Sequence, residues 1–420
     1  RDHGQPLATL GTCLCAGTPE VSEAQDRLAA EVMEQDPTAP LFPTVRAVWA
    51  YRCRELDRAR ELHDRAAALG PTGEVRDTLD FLHARLAFTA RSPDWAVGFA
   101  HSAEVATSPT IRVQARVAWA SGLLQLGDAG AAEHQARLAV AEARGAPPAL
   151  RAEAAMVLGM TLNGSGRPAA AERVLREAME LSGSCEAGMV SNLVNNHANT
   201  LRALGRFVEA DASYRRAREL CLQAGLGLRG AVQGVNLVHL AVEQGDIERA
   251  LRRGYRALVE LERGPAPYLA QARVGLALAC LEDGRYDLAV QQLAEAGQVP
   301  EVVWVRGLLA AERGEPGALD LLSPYVDGLV ARRDTLRVAH AAAPAALVAH
   351  EAGEDALAVR WLDAARELTP EEDWIATRTL DRADHALGRG PAPAGDPEPF
   401  PSFARRWMDR RCNVRARTGN

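Results

Sequence analysis

Apolar residues along this 420-residue chain recur at helical spacing, in segments such as Asn192–Leu204 and Val208–Ala224 that lie on either side of a glycine, Gly205. The same arrangement repeats. An alanine with a glycine five residues before it and another alanine seven after it occurs as Gly127/Ala132/Ala139, Gly166/Ala171/Ala178, Gly205/Ala210/Ala217, Gly245/Ala250/Ala257, Gly284/Ala289/Ala296 and Gly353/Ala358/Ala365. The first five anchors stand 39, 39, 40 and 39 residues apart. Two earlier units, Ala59/Ala66 and Ala96/Ala103, keep the alanines but place Arg54 and Arg91 where the glycine belongs. Twelve residues before most anchors stands a further small residue: Ala47, Ala84, Ala120, Gly159, Ala198, Ala277 or Ala346. Small residues at these positions let two antiparallel helices approach closely, and a left-handed glycine ends the first of them. Each unit is therefore predicted to be a helical hairpin, and the chain an array of about nine.

Composition supports helices over sheets. Aromatic residues make up 5% of the chain, and much of its 47% apolar share is alanine, the best helix former. All 48 basic residues are arginine. Without lysine there is no Walker-type phosphate loop, no protein-kinase lysine and no Schiff-base chemistry. No His-Glu-x-x-His, Gly-x-Ser-x-Gly or Cys-x-x-Cys occurs, so neither catalytic residue, nor metal site, nor cofactor is expected. Gly225, Gly227 and Gly230 match a dinucleotide-binding pattern by letter, but a helix precedes them where a strand is required, and they read as a turn between units. The net charge of −7 argues against general nucleic-acid binding. Seven scattered cysteines and the lack of a long apolar run point to a reduced, cytoplasmic protein without a membrane span. The chain opens on Arg1 rather than methionine, which leaves room for a longer parent protein.

The stretch Asn195-Asn196-His197-Ala198-Asn199-Thr200-Leu201, continued by Gly205-Arg206-Phe207, Ala210, Tyr214 and Ala217, resembles a tetratricopeptide repeat. The resemblance spans roughly residues 45–368, about three quarters of the chain. It implies an all-α, right-handed superhelical solenoid. The units exceed the family's usual length and mostly lack its helix aromatics, and such long units look like those of bacterial signalling proteins. There they sit beside an ATPase, a DNA-binding module or a peptidase, none of which is visible here. Asn192, Asn195, Asn199 and Arg202 share one face of a helix, being 3, 4 and 3 residues apart. The resemblance implies that this face lines a concave groove. The same offsets give Met156 and Met160 one unit earlier and His239 one unit later, with Val274 and Leu278 beyond. Asn199 and Asn236 match two asparagines of carboxylate-clamping members, while Asn195 and Gln271 stand where the clamp lysines belong, so carboxylate capture is in doubt. Asn196 and Asn236, at a common offset, are read as bridging adjacent helices.

The expected organisation is an N-terminal helical cap (1–44), a regular array (45–298), an irregular unit (299–335), a last repeat and cap (336–387), a Pro/Gly-rich linker (388–401) and a basic amphipathic tail (402–420). Residues 404–420 hold six arginines against one aspartate, a charge of +5 that leaves −12 on the rest. Phe403 and Trp407, one helical turn apart, suit this tail for docking on the acidic array. The functional expectation is a non-catalytic protein- or peptide-binding module, the sensor or regulatory part of a bacterial signalling protein, with Asn192, Asn195, Asn199, Arg202, Asn236, His239, Met156 and Met160 on the ligand. The alternatives are a structural or oligomerisation scaffold, and the regulatory region of an enzyme whose catalytic domain lies elsewhere. In the irregular unit the anchor spacing falls to 29 residues, and Pro316 and Pro324 intrude, so one stacking junction is expected to be weak. Amide hydrogen exchange should then run faster in 310–335 than in 190–260; equal protection would remove the hinge.

Overall fold

The computed structural model describes residues 19–262, 264, 266–297, 299–335, 337–370, 373–391 and 407–408. Among these there is no strand, and no helix is long and apolar enough to cross a membrane. Helix α1 (Pro19–Gln35) comes first. Nine hairpins follow: α2 (Leu41–Arg52) with α3 (Leu56–Ala68), α4 (Gly73–Thr89) with α5 (Trp95–Val105), α6 (Pro109–Gln125) with α7 (Ala129–Glu142), and α8 (Pro148–Gly164) with α9 (Pro168–Glu180). Next come α10 (Ala187–Ala203) with α11 (Phe207–Gln223), α12 (Gly227–Gln244) with α13 (Ile247–Glu260), and α14 (Ala266–Glu282) with α15 (Tyr286–Glu295). The last two are α16 (Pro300–Glu312) with α17 (Ala318–Ala331) and α18 (Val338–Glu351) with α19 (Asp355–Leu368), and α20 (Trp374–Ala386) follows them. The linker and tail expectations, Phe403 included, fall outside the described residues except at 388–391, Trp407 and Met408.

Every hairpin turns on a left-handed residue, and the turn between α16 and α17 has a second, Gly317, with φ of 85°. The glycines at 127, 166, 205, 245, 284, 314 and 353 have φ between 66° and 85°. Arg54 and Arg91 adopt the same conformation, with φ of 65° and 55°. The hydrogen bonds are shared too. Gly205 N–H donates to the Arg202 carbonyl (3.0 Å) and Arg206 N–H to that of Leu201 (2.9 Å); Arg54 and Glu55 donate likewise to Tyr51 (3.1 Å) and Ala50 (2.9 Å). A left-handed arginine costs roughly 1–2 kcal/mol. Two backbone bonds at about 0.5–1.5 kcal/mol each, with the packing they permit, offset it. Two of the second helices are then started by an aspartate, Asp128 accepting from Ala131 N–H and Asp246 from Arg249 N–H, both at 3.0 Å.

The anchor alanines are buried from Ala132 to Ala365, as are Ala59 and Ala66. Ala96 departs from expectation and is only half-buried. Helix α5 starts four residues after its left-handed arginine and α3 only two, so the longer turn rotates α5 about its axis. Gly98 makes the close approach instead: a Cβ there would lie 2.8 Å from Ala84 Cβ.

The chain divides into two compact units. One takes in the described residues up to Thr161 together with Val174–Met189; the other takes in Leu162–Arg173 and the described residues from Val190 onward. In the first unit an aromatic cluster of Phe81, Phe88, Trp95 and Phe99 joins α4 to α5. In the second, the C-terminal stretch returns to early turns. Thr335 Oγ1 donates to the Gly164 carbonyl at 2.8 Å, Pro370 packs against Gly166, and Ile375 joins the core around Tyr214 and Phe207. A Cβ on Gly166 would sit 1.9 Å from Pro370 Cγ, on a backbone with φ +69°; at Gly353, with φ +82°, it would meet nothing. Gly353→Ala should therefore cost about 1–2 kcal/mol, from the backbone alone, and Gly166→Ala about 1–3 kcal/mol more. Urea unfolding of both variants checks this; equal losses would mean that the return contact does not form in solution.

Candidate functional site

Helix α10 is clamped to α11 from behind. The buried Ser191 hydroxyl donates to the Ala217 carbonyl and lies 2.9 Å from Cys221 Sγ, so the opposite face of α10 turns outward. On that face Asn192 is exposed, and Asn195, Asn199 and Arg202 are half-buried. Asn195 Oδ1 accepts from Asn236 Nδ2 of α12 at 2.8 Å, and a longer contact of 3.5 Å joins that nitrogen to Gln233 Oε1. Asn236 does bridge to the neighbouring hairpin, but through Asn195 and not Asn196. Asn196 is one residue, about 100°, further round α10, and its carbonyl receives the Thr200 hydroxyl.

Asn199 and Arg202 meet in a second knot. The Tyr214 hydroxyl of α11 donates to Asn199 Oδ1 at 2.6 Å, and the Arg202 guanidinium hydrogen-bonds that hydroxyl. Arg202 Nε also lies 3.3 Å from Glu243 of α12. The carboxylate raises the Arg202 pKa further and keeps it charged. Tyr214 is wholly buried, and that burial, opposed by Arg202, pushes its hydroxyl up to about 12. It stays a neutral donor at physiological pH. Both asparagine carbonyls are thus taken, while neither NH2 group has a partner among the described residues.

His239, half-buried on α12, packs beside Gly275 of α14 and hydrogen-bonds the Gln271 backbone carbonyl. Burial and then the Arg202 cation lower its pKa; Glu243, Glu301 and the Gln271 carbonyl oppose them. Met156 and Met160 are half-buried on α8 and belong to the first unit, whereas the other predicted residues all belong to the second. Three participants escaped the sequence reading: Tyr214, Glu243 and Gln233. Tyr214 stands within the repeat-like stretch itself, and a tyrosine facing an Asn-rich helix was the available signal. Elsewhere, His63, His83 and His101 border a crevice of about 540 Å³ in the first unit, and no described group of three or more His, Cys, Asp or Glu residues could hold a metal ion.

No protein-family model matches this sequence, and none of the curated proteins does. Solved structures do match in shape. A Rap protein complexed with competence and sporulation factor aligns over 90% of this chain and 99% of its own, with a TM-score of 0.57 and 12% identity. The apo form of RapI covers 83% of this chain and 99% of its own, at 0.55 and 12%. Aspartyl phosphate phosphatase F from Bacillus subtilis covers 79% and 94%, at 0.53 and 12%. At such identities the likeness is one of fold: this chain is an all-α helical-repeat solenoid of the same architecture.

The lowered pKa of His239 gives a pH dependence. The folded state favours the neutral ring, so its contribution is complete above the unfolded value of 6.5 and is lost as pH falls through the folded one. The urea midpoint should drop between about pH 7 and 5, and His239→Gln should flatten that drop. An unchanged slope in the variant would remove His239 as its source.

Proposed function

We propose that this chain is a non-catalytic binding module that takes an extended peptide or protein segment along α10 and α12. It would serve as the sensor or regulatory part of a bacterial signalling protein in the cytoplasm. The observation that carries this reading is the orientation of the asparagines. Asn195 and Asn199 spend their carbonyl oxygens on Asn236 and Tyr214, which leaves two outward NH2 groups on one helical face. Backbone carbonyls of a bound strand need such donors, since each loses water on binding. Asn192 extends the row, Arg202 and Asn236 hold it in place, and His239 closes it towards α14. The match to a Rap protein complexed with competence and sporulation factor supports a ligand-binding role for this architecture.

Selection of a displayed random-peptide library on the purified chain tests the proposal. Peptides enriched on the wild type should lose about 1–3 kcal/mol of affinity to Asn195→Ala/Asn199→Ala, the cost of leaving peptide carbonyls unpaired, with the circular dichroism unchanged. Asn199→Asp should lose at least as much, because it exchanges a donor for an acceptor. Failure of any peptide to enrich would favour the scaffold reading, and enrichment indifferent to both variants would move the site away from α10.

A further inference from the structure

Trp407 is completely buried and Met408 is 2% exposed, and both belong to the continuous apolar cluster of the second unit. They do not continue the array. Helix α20 ends at Ala386, and the intervening sequence holds five prolines between 391 and 401. The cluster they enter draws on every helix from α12 to α20, and its members include Val274, Leu278 and Leu281 of α14, Trp304 and Leu308 of α16 and Leu347 of α18. These residues share a register. Counted back from the turn glycines Gly284, Gly314 and Gly353, they occupy the positions that Asn195, Asn199 and Arg202 occupy before Gly205. On α10 that row is polar and half-buried; on α14, α16 and α18 it is apolar and buried except at its last position, where α16 has the half-buried Ala311 and α18 the half-buried His350.

We propose that the apolar row on α14, α16 and α18 is a binding site for a peptide segment bearing an aromatic residue followed by methionine. Its resident occupant is the chain's own Trp407–Met408. A tryptophan and a thioether suit such a recess: the indole supplies a large rigid surface and methionine adapts to what remains. Charge favours the same occupant, since residues 404–420 carry +5 against −12 on the rest of the chain. The proposal does not depend on the asparagine face, which lies on other helices and recognises backbone instead of side chains.

Exchange tests it in the full-length chain. A protease recognition sequence is placed between Ala394 and Pro397, the chain is cut, and a labelled synthetic peptide of residues 402–420 is added. The released segment should exchange with the labelled peptide while the helical circular dichroism is retained. A labelled peptide with Trp407→Ala, of equal charge, should bind at least about tenfold more weakly. Loss of the helical signal on release would make Trp407 an ordinary part of the core and overturn the proposal. So would absence of exchange, or equal binding of the two peptides, which would reduce the attraction to charge.

Discussion

The whole array rests on pairs of helices that approach until their backbones nearly touch. Alanine at the anchor positions permits this. Where a larger side chain faces the contact, a glycine opposes it: a Cβ on Gly159 would lie 2.5 Å from Leu175 Cγ, and one on Gly254 would lie 2.5 Å from Leu276 Cγ. Substituting either would force overpacking that a close-packed core resists. Helices this close must reverse within a few residues, and only a left-handed residue with its two capping hydrogen bonds achieves that. The arginines at 54 and 91 show that the constraint lies in the backbone conformation and not in glycine itself. Such a turn tolerates an unfavourable residue because the hairpin around it stabilises more than the strain costs.

A constant turn also fixes a constant register. Once each first helix ends at the same left-handed position, residues three, six and ten before it point the same way in every unit. The chain can then vary that row without disturbing the fold. It is amide-rich on α10, mixed on α12 and apolar from α14 to α18 but for His350 at its end. The polar stretch is held by Tyr214 of its own hairpin and Glu243 of the next, so its geometry depends on both.

What the sequence revealed follows from which interactions are local. The turn and its alanines lie within about twenty residues of one another and recur, so the hairpins and the helical class could be read directly. Ala96 was misplaced because periodicity does not register the longer turn after Arg91. The asparagine face was legible from spacing within a single helix, but its partners were not, because Tyr214 and Asn236 come from other helices. The return of Thr335 to Gly164, 171 residues away, has no periodic signal at all. Periodicity describes neighbours; a contact that closes the second unit on itself arises from many small rotations accumulated along the array.

The bonds that hide the asparagine carbonyls also define what the face can recognise. An asparagine amide free to turn over offers a donor or an acceptor with equal ease. If Asn199 turned over, its NH2 would face a Tyr214 oxygen that already accepts from Arg202, and the hydroxyl proton, which burial retains, would lose its acceptor. The Asn199 NH2 is therefore left to face outward, and Asn195 has the same sense while its carbonyl accepts from Asn236. The nearby cation is no substitute for the lysines of a carboxylate clamp, because Arg202 is already paired with Glu243. A ligand carboxylate would have to displace Glu243 from its partner and leave that charge partly buried, a penalty that neutral backbone carbonyls do not incur. Under the peptide-binding reading proposed above, the arrangement would favour the middle of an extended chain over its charged end.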